Sequence, residues 1–215
     1  MSVKAKICGI NSHDAMAAAI DGGASYVGLV FYPPSPRAVT AQQAAFLCKY
    51  VPDSVIKVGL FVDIDDDTLA AIIASVPLDL LQLHGSETPA RVAEIKQHTG
   101  LPVIKAIKIA SPDDVATAEA YFDTANRLLF DAKAPVDMKG ALPGGNALIF
   151  DWQLIADRPW PLPWMLSGGL DAENVAAAIR VTGARAVDVS SGVESAPGVK
   201  DIARIAVFLK AVSAA

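Results

Sequence analysis

The chain has 215 residues, 53% of them hydrophobic, and 23 acidic against 18 basic side chains for a formal net charge of −5. That length allows one domain, or two at most, with a full core, and the acidic balance disfavours nucleic acid and anionic membranes as partners. Mean hydropathy is high at +0.38, yet the apolar residues gather in short alanine-rich runs such as 15–19 and 176–178, and none approaches the roughly 18 uninterrupted apolar residues of a membrane span. No charged segment followed by an apolar one opens the chain, so a cytoplasmic location is expected. The two cysteines, Cys8 and Cys48, lie far apart with no Cys/His cluster around them, which argues against both a disulfide and a zinc site. Cys48 falls in a helical run at 40–50 and reads as packing.

The first predicted strand, 3–7, alternates: Val3, Ala5 and Ile7 share one face, and Lys4, Lys6 and Cys8 the other. Cys8 therefore points the same way as Lys6, whose ammonium is expected to favour the thiolate. Most free cysteines are small buried hydrophobes, and that plain reading stays open. Further strands are expected at 26–31, 56–62, 79–83, 103–107, 127–131, 164–167 and 186–190. Helices are expected to begin near Ser12, Thr40, Asp66, Thr88, Ser111, Asp171 and Val199; Ser12, Ser111 and Asp171 are natural N-caps. The crossover from 132 to 163 is irregular, rich in proline and glycine, with a short helix expected near 152–156. Eight strands, most followed by a helix, predict a parallel sheet, and in about 215 residues they match the compact end of a single-domain α/β (β/α)8 TIM barrel. An open doubly wound sheet is the competitor, but no Gly-x-Gly-x-x-Gly follows the first strand.

Chemistry in such barrels sits at the C-terminal ends of the strands. Those ends carry Cys8, Ser35-Pro36-Arg37, Asp63, Gln82-Leu83-His84-Gly85, Asp131, Ser167-Gly168-Gly169 and Asp188-Val189-Ser190-Ser191-Gly192. Period-two alternation pairs Gln82 with His84, Leu129 with Asp131, and Asp188 with Ser190. Each residue has a plainer reading: Asp131 as a turn cap, His84 as a satisfied loop histidine, Arg37 as a solvated charge, Asp63 as a helix start, Asp188 as a structural acceptor. The small residues Ser167, Gly168, Gly169, Ser190, Ser191 and Gly192 follow strands seven and eight, the usual phosphate site of these barrels. A phosphorylated small-molecule substrate is the reading they favour.

Taken in order, Lys6-Ile7-Cys8-Gly9, Val27-Gly28-Leu29-Val30-Phe31, Ser35-Pro36-Arg37, Val58-Gly59-Leu60-Phe61-Val62, Gln82-Leu83-His84-Gly85 with Glu87, Phe130-Asp131, Phe150-Asp151-Trp152, Leu166-Ser167-Gly168-Gly169-Leu170 and the run 188–194 span nearly the whole chain. This ordered set resembles phosphoribosylanthranilate isomerase, the barrel enzyme of tryptophan biosynthesis. The resemblance implies an Amadori rearrangement of N-(5-phosphoribosyl)anthranilate to 1-(o-carboxyphenylamino)-1-deoxyribulose 5-phosphate, with no cofactor and no metal. It implies Cys8 as general base and Asp131 as general acid, Arg37 on the anthranilate moiety, Asp188 on a sugar hydroxyl, His84 as a further substrate-site residue, and Gly144 and Gly145 at the phosphate. One position departs from the pattern: Ala147 stands where the family's loop usually carries the last glycine of Gly-Gly-Thr-Gly, putting one phosphate contact in doubt. Two alternatives remain at this point, a histidine-pathway phosphoribosyl isomerase and a non-catalytic barrel that binds a phosphorylated ligand. A monomer is the default expectation.

Overall fold

The computed structural model describes residues 2–135, 137–138 and 142–215. Eight parallel strands close into a barrel in sequence order: β1 (Lys4–Cys8), β2 (Tyr26–Val30), β3 (Ile56–Phe61), β4 (Leu80–Leu83), β5 (Val103–Ile109), β6 (Arg127–Ala132), β7 (Trp164–Leu166) and β8 (Ala186–Val189). The predicted strands are all present, with ends moved by one or two residues. Closure comes from β1 pairing with β8, a register that sets Lys6 opposite Asp188.

The alternation seen in the sequence sorts side chains into two cores. Tyr26, Val58, Leu80, Ile104, Ala106, Leu129, Met165 and Ala186 point inward and fill the lower barrel, whereas Ile7, Val27, Leu29, Leu81, Leu83, Leu128 and Phe130 point outward beneath the helices. Two residues further along several of these strands, the inward positions turn polar: Lys6, Gln82, Asp131, Ser167 and Asp188 are all buried. A greasy plug thus supports a polar layer, and the layer faces the C-terminal mouth.

Helices α1 (His13–Asp21), α2 (Ala41–Cys48), α3 (Asp66–Ser75), α4 (Pro89–Thr99) and α5 (Pro112–Ala116) follow strands β1 to β5. Their N-caps Ser12, Thr40, Asp65, Thr88 and Ser111 each accept the backbone N–H three residues on, satisfying donors that the first helical turn leaves open. The crossover after β6 carries only a 3₁₀ turn at Trp152–Leu154 among its described residues.

Two helix starts differ from expectation. Asp171 accepts the N–H groups of Glu173 and Asn174, so it caps a preceding turn, and α6 runs over Val175–Thr182. Val199 does not open a helix. Pro197 and Gly198 (φ +81°) turn the chain back, the pairing of types that a type II turn favours, and a hairpin forms between β9 (Glu194–Ala196) and β10 (Val199–Lys200). Only then does α7 (Ile202–Ser213) begin, capped by Asp201. Among the described residues no helix is long and apolar enough to cross a membrane.

Candidate active site

A cavity opens at the barrel mouth, with about 730 Å³ of free space when the open solvent at its entrance is included. Cys8, Arg37, His84, Asp131 and Asp188 all line it, as do Gly144, Gly145, Ser167, Gly168, Gly169, Ser190 and Ser191. Gly192 stands behind the lining: a Cβ there would lie 2.0 Å from the Leu170 carbonyl oxygen, so it is needed for the loops after β7 and β8 to touch. Asp63 is also outside the cavity. Its backbone is left-handed (φ +47°), and its carboxylate accepts the Ser86 N–H at 2.7 Å, stitching the loops after β3 and β4 together.

Asp131 is not a turn cap. Its Oδ2 lies 3.1 Å from His84 Nε2, and His84 Nδ1 lies 2.9 Å from Gln82 Nε2, all of them buried. Its Oδ1 accepts the Ala132 N–H at 2.9 Å. Above this chain sits the loop after β6. A Cβ on Gly144 would come 2.7 Å from His84 Nε2 and 2.9 Å from Asp131 Oδ2, closer than van der Waals contact allows, so only glycine lets the loop rest on the pair. Gly144→Ala should therefore lower kcat/KM roughly 10-fold or more, because displacements near 1 Å can cost about 10²-fold. The melting temperature should barely move, since the loop is half-exposed. Steady-state kinetics and a thermal melt check this; an unchanged kcat/KM would mean that the loop does not cover the pair.

Cys8 lies at the end of β1 opposite Gly28, where a Cβ would be 2.9 Å from its Sγ and 3.1 Å from Lys6 Nζ. The sequence suggests that Lys6 lowers the thiol pKa; the structure reverses this. Burial pushes Cys8 above its ordinary value of 9.0, and the attraction of Lys6 does not overcome it. The reason is visible one layer down. Lys6 is fully buried and spends its charge on Asp188, 2.8 Å away. Burial pulls its pKa down, but Asp188 and, after it, Cys8 together outweigh burial and hold it firmly protonated. The second Asp188 oxygen accepts from Ser167 Oγ at 3.0 Å. Both carboxylate oxygens thus already have protein partners, and only their remaining lone pairs face a ligand.

Arg37 is buried, not solvated. Its Nε and one terminal nitrogen grip Glu194 at 2.8 and 2.9 Å, and the same nitrogen donates to the Gly145 carbonyl at 3.2 Å. Glu194 also accepts from Lys200 Nζ at 2.7 Å, and Lys200 donates to the Ser190 carbonyl at 2.9 Å. Burial alone would raise Glu194, but Arg37 and Lys200 together hold it below the usual carboxylate range. Two cations against one carboxylate leave this side of the mouth with one formal positive charge in excess, suited to an anionic ligand. Ala147 holds a left-handed backbone (φ +57°), the region glycine enters freely and other residues only at a cost of roughly 1–2 kcal/mol. The departure in sequence has kept a glycine-like turn.

Glu194 and Lys200 were not legible as site residues because the hairpin that carries them has no clear sequence signal. Lys6 and Gln82 were legible in principle, as inward neighbours of Cys8 and His84.

A closed parallel barrel with titratable groups and small-residue loops gathered at the C-terminal mouth is the arrangement of a barrel enzyme that acts on a phosphorylated small molecule. Residues 5–211 match the family model for N-(5'-phosphoribosyl)anthranilate (PRA) isomerase. The isomerase of Paramagnetospirillum magneticum is 58% identical over 212 residues, covering 98% of this chain and 97% of its own. That of Rhodospirillum centenum is 58% identical over the full length of both. Among solved structures, phosphoribosyl anthranilate isomerase from Thermotoga maritima superposes with a TM-score of 0.88 at 35% identity, covering 99% of this chain and 100% of that one. A structure of a phosphoribosyl anthranilate isomerase in complex with reduced 1-(o-carboxyphenylamino)-1-deoxyribulose 5-phosphate gives a TM-score of 0.84 at 34% identity, covering 99% of this chain and 100% of that one. The chain belongs to the N-(5'-phosphoribosyl)anthranilate isomerase family: it is an isomerase of tryptophan biosynthesis, and the histidine-pathway and non-catalytic alternatives are set aside.

Proposed function

We propose that the residues at the mouth divide the Amadori rearrangement of N-(5-phosphoribosyl)anthranilate between them, with Asp131 as acid and Cys8 as base. Asp131 gives its proton to the furanose ring oxygen as the bond from that oxygen to C1 breaks. The anilino nitrogen lone pair then closes a C1=N bond. The Cys8 thiolate removes the proton on C2, giving an enaminol. Loss of the 2-hydroxyl proton and gain of one at C1 yields the aminoketone. General acid and base groups of this kind each contribute roughly 10²–10⁴-fold.

The observation that carries this reading is that Cys8 from β1 and Asp131 from β6 line one cavity, both nearly dry. Arg37, rigid on Glu194, is assigned to the anthranilate carboxylate, for which a planar guanidinium is well shaped. The loops Ser167-Gly168-Gly169 and Ser190-Ser191, with Gly144 and Gly145, are assigned to the phosphate, which backbone N–H groups can approach closely where side chains are small. Asp188 is assigned to a sugar hydroxyl through its spare lone pairs. The direct test mixes the purified protein with freshly prepared phosphoribosylanthranilate and follows the fluorescence change, with EDTA present. Rapid conversion to 1-(o-carboxyphenylamino)-1-deoxyribulose 5-phosphate supports the reading. An intact substrate beside folded protein sinks it, and loss of conversion only with EDTA would replace the metal-free account.

A further inference from the structure

Gln82 and His84 line the cavity beside Asp131, with Gln82 facing His84 and His84 facing Asp131. A neutral imidazole donates from one nitrogen and accepts at the other. An ionised carboxylate only accepts, so Asp131 Oδ2 at 3.1 Å asks His84 for an Nε2–H. Nδ1 must then accept, and the group facing it at 2.9 Å is the Gln82 amide nitrogen, a donor. The chain Gln82 N–H to His84 Nδ1, His84 Nε2–H to Asp131 Oδ2 is self-consistent in one direction. It leaves Gln82 Oε1 buried with no hydrogen-bond partner among the described residues. An orphaned buried acceptor destabilises the fold and asks for a reason to be kept.

We propose that Gln82 is a positioning residue for the acid. Its amide fixes neutral His84 as the Nε2–H tautomer, which commits Asp131 Oδ2 to accepting. The acidic proton is therefore carried on Oδ1, whose partner is the Ala132 N–H and which keeps a lone pair for it. With the opposite tautomer, Nε2 would accept, and a protonated Asp131 would aim its O–H at His84 instead of at the substrate. This inference rests on Asp131 being the acid and adds the group that decides where its proton sits.

The chain has three histidines, and His13 and His98 are exposed, so the imidazole signals of buried His84 stand apart. Nitrogen-15 NMR of the intact enzyme at pH 8 should show His84 neutral with its proton on Nε2. Gln82→Glu keeps the shape but places an acceptor against Nδ1, and should convert His84 to the Nδ1–H form or to imidazolium. Gln82→Met, which removes both hydrogen-bonding groups, should lower kcat about 10-fold with KM within about twofold, part of the range a positioned acid supplies; Gln82→Glu should fall further. A purely structural Gln82 would leave the tautomer unmoved. The proposal is overturned if wild-type His84 carries its proton on Nδ1, a result that needs no variant to fold, or if both variants keep wild-type kcat. Full activity in Asp131→Asn would instead remove the acid assignment itself, whatever the tautomer.

Discussion

Asp131→Asn should reduce kcat roughly 10²–10⁴-fold, the contribution expected of a positioned general acid, while KM changes little. The amide has the shape of the carboxyl group and fills the same space, and its one oxygen can still accept from His84 Nε2 or from the Ala132 N–H, though not from both. The loop contact over Gly144 therefore survives, and the substrate meets the same cavity. What is lost is a proton that can be given away: an amide N–H has no acidity in the useful range, so the ring oxygen must leave unprotonated. Because binding is nearly untouched and the barrier rises, the loss falls on kcat, which marks an interaction made in the transition state. The measurement is the steady-state fluorescence assay with a thermal melt alongside. A variant that melts like the wild type yet keeps its kcat would show that ring opening draws its proton from elsewhere.

The fold was legible because its signals are local and repeated. Each strand is a short apolar run, and the alternation within β1, β4 and β8 already sorts Lys6 with Cys8, Gln82 with His84, and Asp188 with Ser190. Most of the mouth follows once the strands are assigned to a barrel, since every inward residue at a C-terminal end must face it. Two things were not legible. One is charge pairing between distant strands. Lys6 looks like an activator of Cys8 along β1, but it answers to Asp188, brought opposite only when β8 closes the barrel. The other is the hairpin after β8. Its strands have three and two residues, too short for periodicity to announce, yet it delivers Glu194 to Arg37 and Lys200 to Ser190. Local pattern finds elements; it does not find which charge neutralises which.

That pairing shapes the second large effect, at Cys8. Because burial raises the thiol above 9.0, the resting enzyme near neutrality holds a proton on the group that must act as base. The thiolate fraction grows about tenfold per pH unit below the thiol pKa, but in the wild type Asp131 must hold a proton in the same turnover, so gain of base and loss of acid oppose one another. In Asp131→Asn, which has no acid to lose, kcat/KM should climb with the thiolate between about pH 7 and 9. Cys8→Ser replaces the thiol by a hydroxyl far harder to ionise, so turnover should fall roughly 10²-fold or more, and in the Asp131→Asn background the rise with pH should disappear. Stability moves the opposite way. A folded-state pKa raised above the unfolded one gives a contribution that is complete below about 9 and lost as pH rises through the folded value, because the unfolded chain gives up the proton first. Activity of Asp131→Asn and stability should therefore diverge on the alkaline side, and adding Cys8→Ser should remove both trends together. A pH-rate profile set beside melts at the same pH values checks this. A flat Asp131→Asn profile over that range, or an active Cys8→Ser, would move the base to another residue of the mouth.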